Sequence, residues 1–273
     1  MIRQNLHMHS IFDDGKDTCH DMLEACRAEG MTVAGVSLHS PLPFENDWAA
    51  RETGPFLKEM AFQKKAFESR LSVKTGIELD MLSVGFVDLT PFDYVIGAVH
   101  HLPGAECPSS VDHCPERTES VIQDSFGGDA EAAAEVYFSE MLKVADNPRV
   151  DICAHFDLLT KFNDQYHFFN PESERYQRAA RRALHALIDT NKIFEVNTGA
   201  ISRGWRKTPY PSRQWLLEIA KRGGRVTVSS DAHSKETVSC SFDEAAALIK
   251  SCGFREIWGL SESKDRFVPL PLE

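Results

Sequence analysis

The sequence predicts a parallel β/α barrel, on three observations. Short apolar, β-branched runs alternate with stretches of helical periodicity, the order that builds a parallel sheet with helices outside it. The runs are apolar almost without interruption, as strands buried on both faces are. Seven or eight such units fill 273 residues, which suits a closed barrel better than an open sheet.

In chain order the strand-like runs are 2–9, 32–39, 73–78, 94–100, 150–155, 193–197 and 225–231, with a weaker eighth at 256–260. Helical periodicity marks 17–29, 55–70, 129–146, 171–190, 212–222 and 242–252. In the first of these, Met22, Leu23 and Cys26 recur at helical spacing and Gly30 stops the helix. The least regular stretch is 102–128, with Pro103, Pro108, Pro115 and Gly127-Gly128. It follows a strand directly and reads as a long βα loop, the kind that lids a site or selects substrate. Neither an internal repeat nor a linker divides the chain, so one domain over 1–273 is expected.

Thirty basic against 41 acidic residues leave a formal charge of −11. That balance argues against broad nucleic-acid binding, which uses a basic face, but not against a small anionic substrate held by a few local cations. The longest apolar runs fall far short of a membrane span, and Met1 to Asn5 has no apolar leader core. No membrane association and a cytoplasmic location are the default expectations. Cysteines 19, 26, 107, 114, 153, 240 and 252 are scattered, which favours reduced thiols. Cys26, Cys153 and Cys252 fall in apolar patterns and are expected in the core. The oligomeric state is left open.

The chemistry lies at the strand ends. His7 and His9, His39, Glu78, His100 and His101, His155, Glu195 and Asn197, and Asp231 and His233 each close a strand-like run. In a β/α barrel these ends meet on one face, where the site is built. A lone strand-end histidine is usually structural, but agreement across seven ends is not explained by core packing. Imidazole with carboxylate suits zinc, manganese or iron. His7 and His9 stand two apart, so both face one side and can grip one ion. The donors exceed the needs of one tetrahedral ion, so two or three divalent ions sharing a bridging carboxylate are expected. Adjacent ions activate water and neutralise phosphoryl charge.

His7-Met8-His9-Ser10, Asp13-Asp14-Gly15, His39, Glu78, His100, His155 and Ser230-Asp231-Ala232-His233 follow in an order that resembles the polymerase-and-histidinol-phosphatase (PHP) superfamily, over most of the chain. Glu195-Val196-Asn197-Thr198-Gly199, Arg203-Gly204, Tyr210-Pro211-Ser212, Gly97-Ala98-Val99-His100 and His155-Phe156-Asp157-Leu158-Leu159 resemble its histidinol-phosphate phosphatase branch. The resemblance implies a distorted (β/α)7 TIM-like barrel with parallel strands and outer helices, and hydrolysis of L-histidinol phosphate in histidine biosynthesis.

It also implies a ligand set: His7, His9, Glu78 and Asp231 for one metal, Glu78, His100 and His155 for a second, and Asp14, His39 and His233 for a third. Glu195 would orient a ligand histidine. The nucleophile would be a metal-bridging hydroxide near Glu78, with Asp231 or His233 supplying or relaying the leaving-group proton. Arg203 resembles the branch's phosphate-binding arginine. Lys161 and Arg206 are further phosphate candidates, and His101 is expected beside the site. Glu106, Asp112, His113, Glu116 and Glu119 in the 102–128 stretch include acids that could meet a substrate ammonium. His20, His167 and His185 read as structural or exposed. Trp48, Trp205, Trp215 and Trp258 read as packing residues, with Trp205 a possible pocket wall. Two rival readings remain: a PHP-type enzyme for another phosphoester, nucleotide or nucleic acid, and a non-catalytic metal-binding scaffold.

Overall fold

The computed structural model describes residues 2–44, 48–102, 108–262 and 266–272. In chain order the elements are β1 (Gln4–Asn5), α1 (Cys19–Ala28), β2 (Val33–His39), α2 (Gly54–Ala66), β3 (Ser72–Asp80), β4 (Tyr94–Ala98), β5 (His101–Leu102), β6 (Ser109–Ser110), α3 (Pro115–Ser120), α4 (Ala130–Asp146), β7 (Ile152–Cys153), α5 (Asn163–Tyr166), α6 (Glu174–Asp189), β8 (Ile193–Asn197), α7 (Gly199–Ser202), α8 (Arg213–Lys221), β9 (Arg225–Ser229), α9 (Phe242–Ser251), β10 (Glu256–Leu260) and β11 (Phe267–Pro271). Seven strands form one parallel sheet in the order β1-β2-β3-β4-β7-β8-β9. A parallel bridge between Met8 and Ala232 brings the two edges together, so the sheet is a nearly closed barrel.

Strand alternation explains what faces inward. Gly35, Ser37 and His39 share one face of β2, Gly76, Glu78 and Asp80 one face of β3, and Ile193, Glu195 and Asn197 one face of β8. On each, small or apolar residues lie low in the barrel and polar or ionisable ones toward the C-terminal end. The opposite faces pack against the helices, in a core that includes Val36, Leu38, Ile77, Leu79, Val95, Phe194 and Val228. The helices supply the matching apolar stripe: α6 buries Tyr176, Ala180, Ala183, Leu184 and Leu187 and starts at Ser173, whose side chain accepts from the Tyr176 N–H.

A second apolar cluster, including Leu6, Val33, Tyr94, Ile96, Ile152, Ile193 and Leu260, fills the lower barrel. Tyr94 crosses this space and its hydroxyl donates to the Leu6 carbonyl. It passes directly over Gly35 and Gly76, where any Cβ would overlap the phenol ring.

Three expectations are corrected. The first strand-like run, 2–9, pairs regularly only at Gln4–Asn5; beyond it the chain is held by single bonds, Ser37 N–H to Met8 O at 2.9 Å and His9 N–H to Ala232 O at 2.8 Å. The eighth run is no barrel strand: β10 pairs antiparallel with β11. Trp258 and Phe267 of this hairpin pack against the lower apolar cluster, and the Leu260 N–H donates to Gln4 Oε1 at 3.2 Å. The 102–128 stretch is more regular than a loop. Its described residues form the β5–β6 pair, α3 and a π-helical turn over 121–125, with Thr118 Oγ1 donating to the Val111 carbonyl at 2.8 Å. Pro103, Glu106 and Cys107 lie outside the described residues. Among the described residues no helix is long and apolar enough to cross a membrane.

Gly76→Ala should destabilise the fold by about 1–3 kcal/mol, because the added methyl overpacks against Tyr94. Denaturant unfolding checks this, and an unchanged midpoint would show that the tyrosine has room to yield.

Candidate metal centre and active site

The parallel ladder sets His39 of β2 beside Glu78 of β3 and Asn197 of β8 beside Ser229 of β9. The other donors leave the strands within a few residues of their ends, so all converge at the C-terminal mouth. Glu78 is the hub. Its Oε1 lies 3.0 Å from His100 Nε2 and 2.9 Å from His155 Nε2. Its Oε2 lies 2.9 Å from His39 Nδ1, 3.1 Å from His7 Nε2 and 3.4 Å from His9 Nε2. Although Oε2 is enclosed by these nitrogens, it makes no hydrogen bond with any of them. A buried carboxylate oxygen facing several imidazoles without a hydrogen bond fits a group that bridges cations.

Among the described residues, three sets of donor atoms lie close enough to share an ion: His9, Asp14, His39 and His233; His7, His9 and Glu78; and His39, Glu78 and His100. Eight of the nine expected ligands thus fall in these sets or, for His155, on Glu78 itself. The ninth, Asp231, places Oδ1 3.5 Å from His9 Nε2 and 3.8 Å from His7 Nε2. The grouping departs from the implied one at His9 and His39, each of which spans two sets; His39 Nδ1 faces Glu78, and its Nε2 is 3.6 Å from Asp14 Oδ1. His233 completes the outer set, with Nε2 3.2 Å from Asp14 Oδ1.

A second layer turns the imidazoles inward. Glu195 Oε1 meets His7 Nδ1 at 2.5 Å, while its Oε2 accepts from His155 N–H at 3.0 Å and Asn197 Nδ2 at 2.9 Å. This is the orienting position expected for Glu195. Asp13 Oδ2 meets His9 Nδ1 at 2.8 Å and accepts from His39 N–H at 2.9 Å. Sequence reasoning missed that role; the Asp13-Asp14 doublet beside His-x-His was the available signal. Asp112 Oδ2 lies 3.5 Å from His100 Nδ1, so the irregular stretch contributes an orienting group.

Charge in this cluster is strongly coupled. Burial alone would lower the pKa of His7, but Glu195, Glu78 and Asp231 outweigh it and raise it to about 10. Burial is likewise outweighed at His9, chiefly by Asp13, and at His100, chiefly by Glu78, and both end well above the usual imidazole range. Glu78 resists the upward push of burial because His7, His39 and His100 surround it, and Asp231 because Arg203 and His7 do. The site therefore favours positive charge, and a divalent ion competes with protons for the same nitrogens. His233 differs: burial, His9 and Arg203 lower its pKa and keep it neutral, the form that ligates.

Asp14, His39, Glu78, His100, His155, Asp231 and His233 line one cavity of about 670 Å³ together with Lys16, Lys161, Arg203, Trp48 and Trp205, while His7 and His9 lie buried behind it. Arg203 Nη2 is 3.1 Å from Asp231 Oδ2, and Nη1 donates to the Asp231 carbonyl at 3.2 Å. Lys161 Nζ donates to the Asp112 carbonyl at 2.6 Å. Two substrate candidates do not line the wall. His101 is held by Asp80 at 3.0 Å and stacks on Trp48, and Arg206 is buried against Thr160 and Tyr210. Trp48, expected in packing, instead stands edge-on to His39 at the cavity. Asp112 and His113 reach the cavity; Glu116 and Glu119 are exposed on α3. His20 and His185 are bound elsewhere, to Gln63 and Glu218.

With this geometry in view, the likenesses to other proteins are consistent. Residues 5–199 match the model of the PHP domain. The histidinol-phosphatase of Lactococcus lactis subsp. lactis (strain IL1403) is 22% identical over 276 residues, covering 97% of this chain and 96% of that protein. The Schizosaccharomyces pombe protein named "Probable histidinol-phosphatase" is 24% identical over 219 residues, covering 77% of this chain and 69% of that one. Among solved structures, the Lactococcus lactis histidinol phosphate phosphatase complexed with zinc, L-histidinol and phosphate superposes with a TM-score of 0.73 at 21% identity, covering 97% of this chain and 98% of that one. At that identity the superposition speaks for the fold, and the match across 5–199 speaks for the family. The chain belongs to the PHP domain family.

Proposed function

We propose that the chain is a metal-dependent phosphomonoesterase that hydrolyses L-histidinol phosphate to L-histidinol and phosphate. One observation carries the reading: Glu78, His39, His100 and His155 share a single cavity wall with Arg203 and Lys161, and with Lys16 nearer its rim among the lining residues. The names of the relatives select the substrate from the phosphate esters that such a wall would accept. The small substrate argues against nucleic acid as partner, in keeping with the −11 charge, and a cytoplasmic biosynthetic role fits it.

Two or three divalent ions would be held by His7, His9, Asp14, His39, Glu78, His100, His155, Asp231 and His233, and would supply phosphoryl charge neutralisation and an acidified water. The rest falls to the side chains. Arg203 offers a guanidinium fork and Lys161 an ammonium to the phosphate oxygens. Asp231 is kept ionised by Arg203 and the histidines, so at neutral pH it offers an anionic hydrogen-bond acceptor to the attacking water. As water oxygen bonds to phosphorus and the ester P–O bond breaks, the water proton passes to the departing alkoxide through Asp231 or the neutral His233, 3.7 Å apart. Asn197 Nδ2, 3.3 Å from Asp231 Oδ2, and Arg203 hold that carboxylate in place.

A panel of phosphate esters tests the reading on metal-loaded protein. L-histidinol phosphate should be turned over with the highest kcat/KM, ahead of nucleoside monophosphates and single-stranded DNA. Preference for a nucleotide would point to the rival PHP chemistry, and no turnover at all to a scaffold. Glu78→Gln should lower both the bound-metal count and turnover, the latter by roughly 100-fold or more; full metal content in the variant would remove Glu78 from the centre. Arg203→Ala should raise KM for phosphate esters about tenfold, and unchanged KM and kcat would show that Arg203 does not bind substrate.

A further inference from the structure

Arg206 does not line the cavity, yet it is only 8% exposed. It belongs to the segment after β8, which also carries Arg203. Its Nη1 donates to Thr160 Oγ1 in the segment after β7, next to Lys161. A reciprocal tie runs the other way: Asp157, from the β7 segment, accepts from the Ser212 N–H at the far end of the β8 segment at 3.1 Å. Thr160 Oγ1 donates to the Asp157 carbonyl at 2.7 Å, so both ties share one turn of chain. The guanidinium lies 4.4 Å from the Tyr210 ring centre and its Nε donates to the Thr208 carbonyl at 3.3 Å, which fixes its plane. Tyr210 is itself paired to Asn197 through two backbone bonds of 2.8 and 3.0 Å.

The two segments joined this way present Lys161 and Arg203 to the cavity. Those cations repel each other: Arg203 is among the groups that oppose charge on Lys161. Holding two like charges on one cavity wall needs a mechanical restraint, and a misplacement near 1 Å weakens such an arrangement severely. We propose that Arg206 is a positioning residue for phosphate binding, setting the distance and orientation between Lys161 and Arg203 without touching the substrate. This rests on Lys161 and Arg203 being phosphate ligands.

The test measures inorganic phosphate affinity, KM, kcat and bound-metal content in the metal-loaded enzyme and in Arg206→Met, Arg206→Lys and Thr160→Val. Arg206→Met should weaken phosphate binding and raise KM on the order of tenfold, with kcat falling less than KM rises and metals retained. Arg206→Lys should recover only part of this, since it keeps the charge and loses the fork. Thr160→Val should shift both values in the same direction by less. Phosphate affinity within about twofold of the parent in a folded Arg206→Met protein would overturn the proposal. If that variant does not fold, unchanged affinity in both Arg206→Lys and Thr160→Val overturns it. Lys161→Met and Arg203→Ala separate the two claims. If both weaken phosphate binding and Arg206→Met does not, only the positioning role fails; if neither does, the phosphate reading beneath it fails too.

Discussion

An ionised carboxylate costs several kcal/mol to bury unless positive charge is buried with it, and Glu78 is 1% exposed at the centre of the barrel mouth. That constraint organises the molecule around it. Five imidazoles reach its two oxygens, and each tends to need a partner on its far side. Glu195, Asp13 and Asp112 provide those for His7, His9 and His100. Their own charges are then absorbed by backbone N–H groups, by Asn197 and by Lys161. The result is a nested shell in which alternating charge falls off outward from one oxygen pair.

The barrel makes this nesting possible because parallel register is rigid. His39 and Glu78 face each other across a ladder that fixes seven consecutive residue pairs, so neither can drift without breaking bonds along the whole strand. β1 and β7 carry less of the ladder, with two residues each, and His7, His9 and His155 sit beyond them. There the side chains are placed by Glu195 and Asp13 instead of by the sheet. Precision at the centre thus comes from backbone pairing on one side and carboxylate partners on the other.

Much of this was legible in the sequence. Strand alternation and the repeated β-then-α order are local signals, so the barrel, the outer helices and the donors at strand ends all followed from residue pattern. Pairing to a distant edge is not local. The 256–260 run has the same composition as a barrel strand, and only its antiparallel partner at 267–271 and its seat against Gln4 exclude it. Likewise Arg206 and Arg203 are indistinguishable as residue types three apart on one segment; a four-residue helix turns one toward Asp231 and the chain beyond it turns the other toward Thr160. Asp13 was overlooked because its neighbour Asp14 drew the ligand role, and adjacent residues on a turn point in different directions.

The tyrosine laid across the lower barrel has a consequence for traffic. Tyr94, with Leu6, Val33 and Leu260 around it, occupies the axis beneath the metal centre, and the β10–β11 hairpin packs from below. Among the described residues the cavity therefore opens in one direction only. Whatever enters the site must leave by the door it came through.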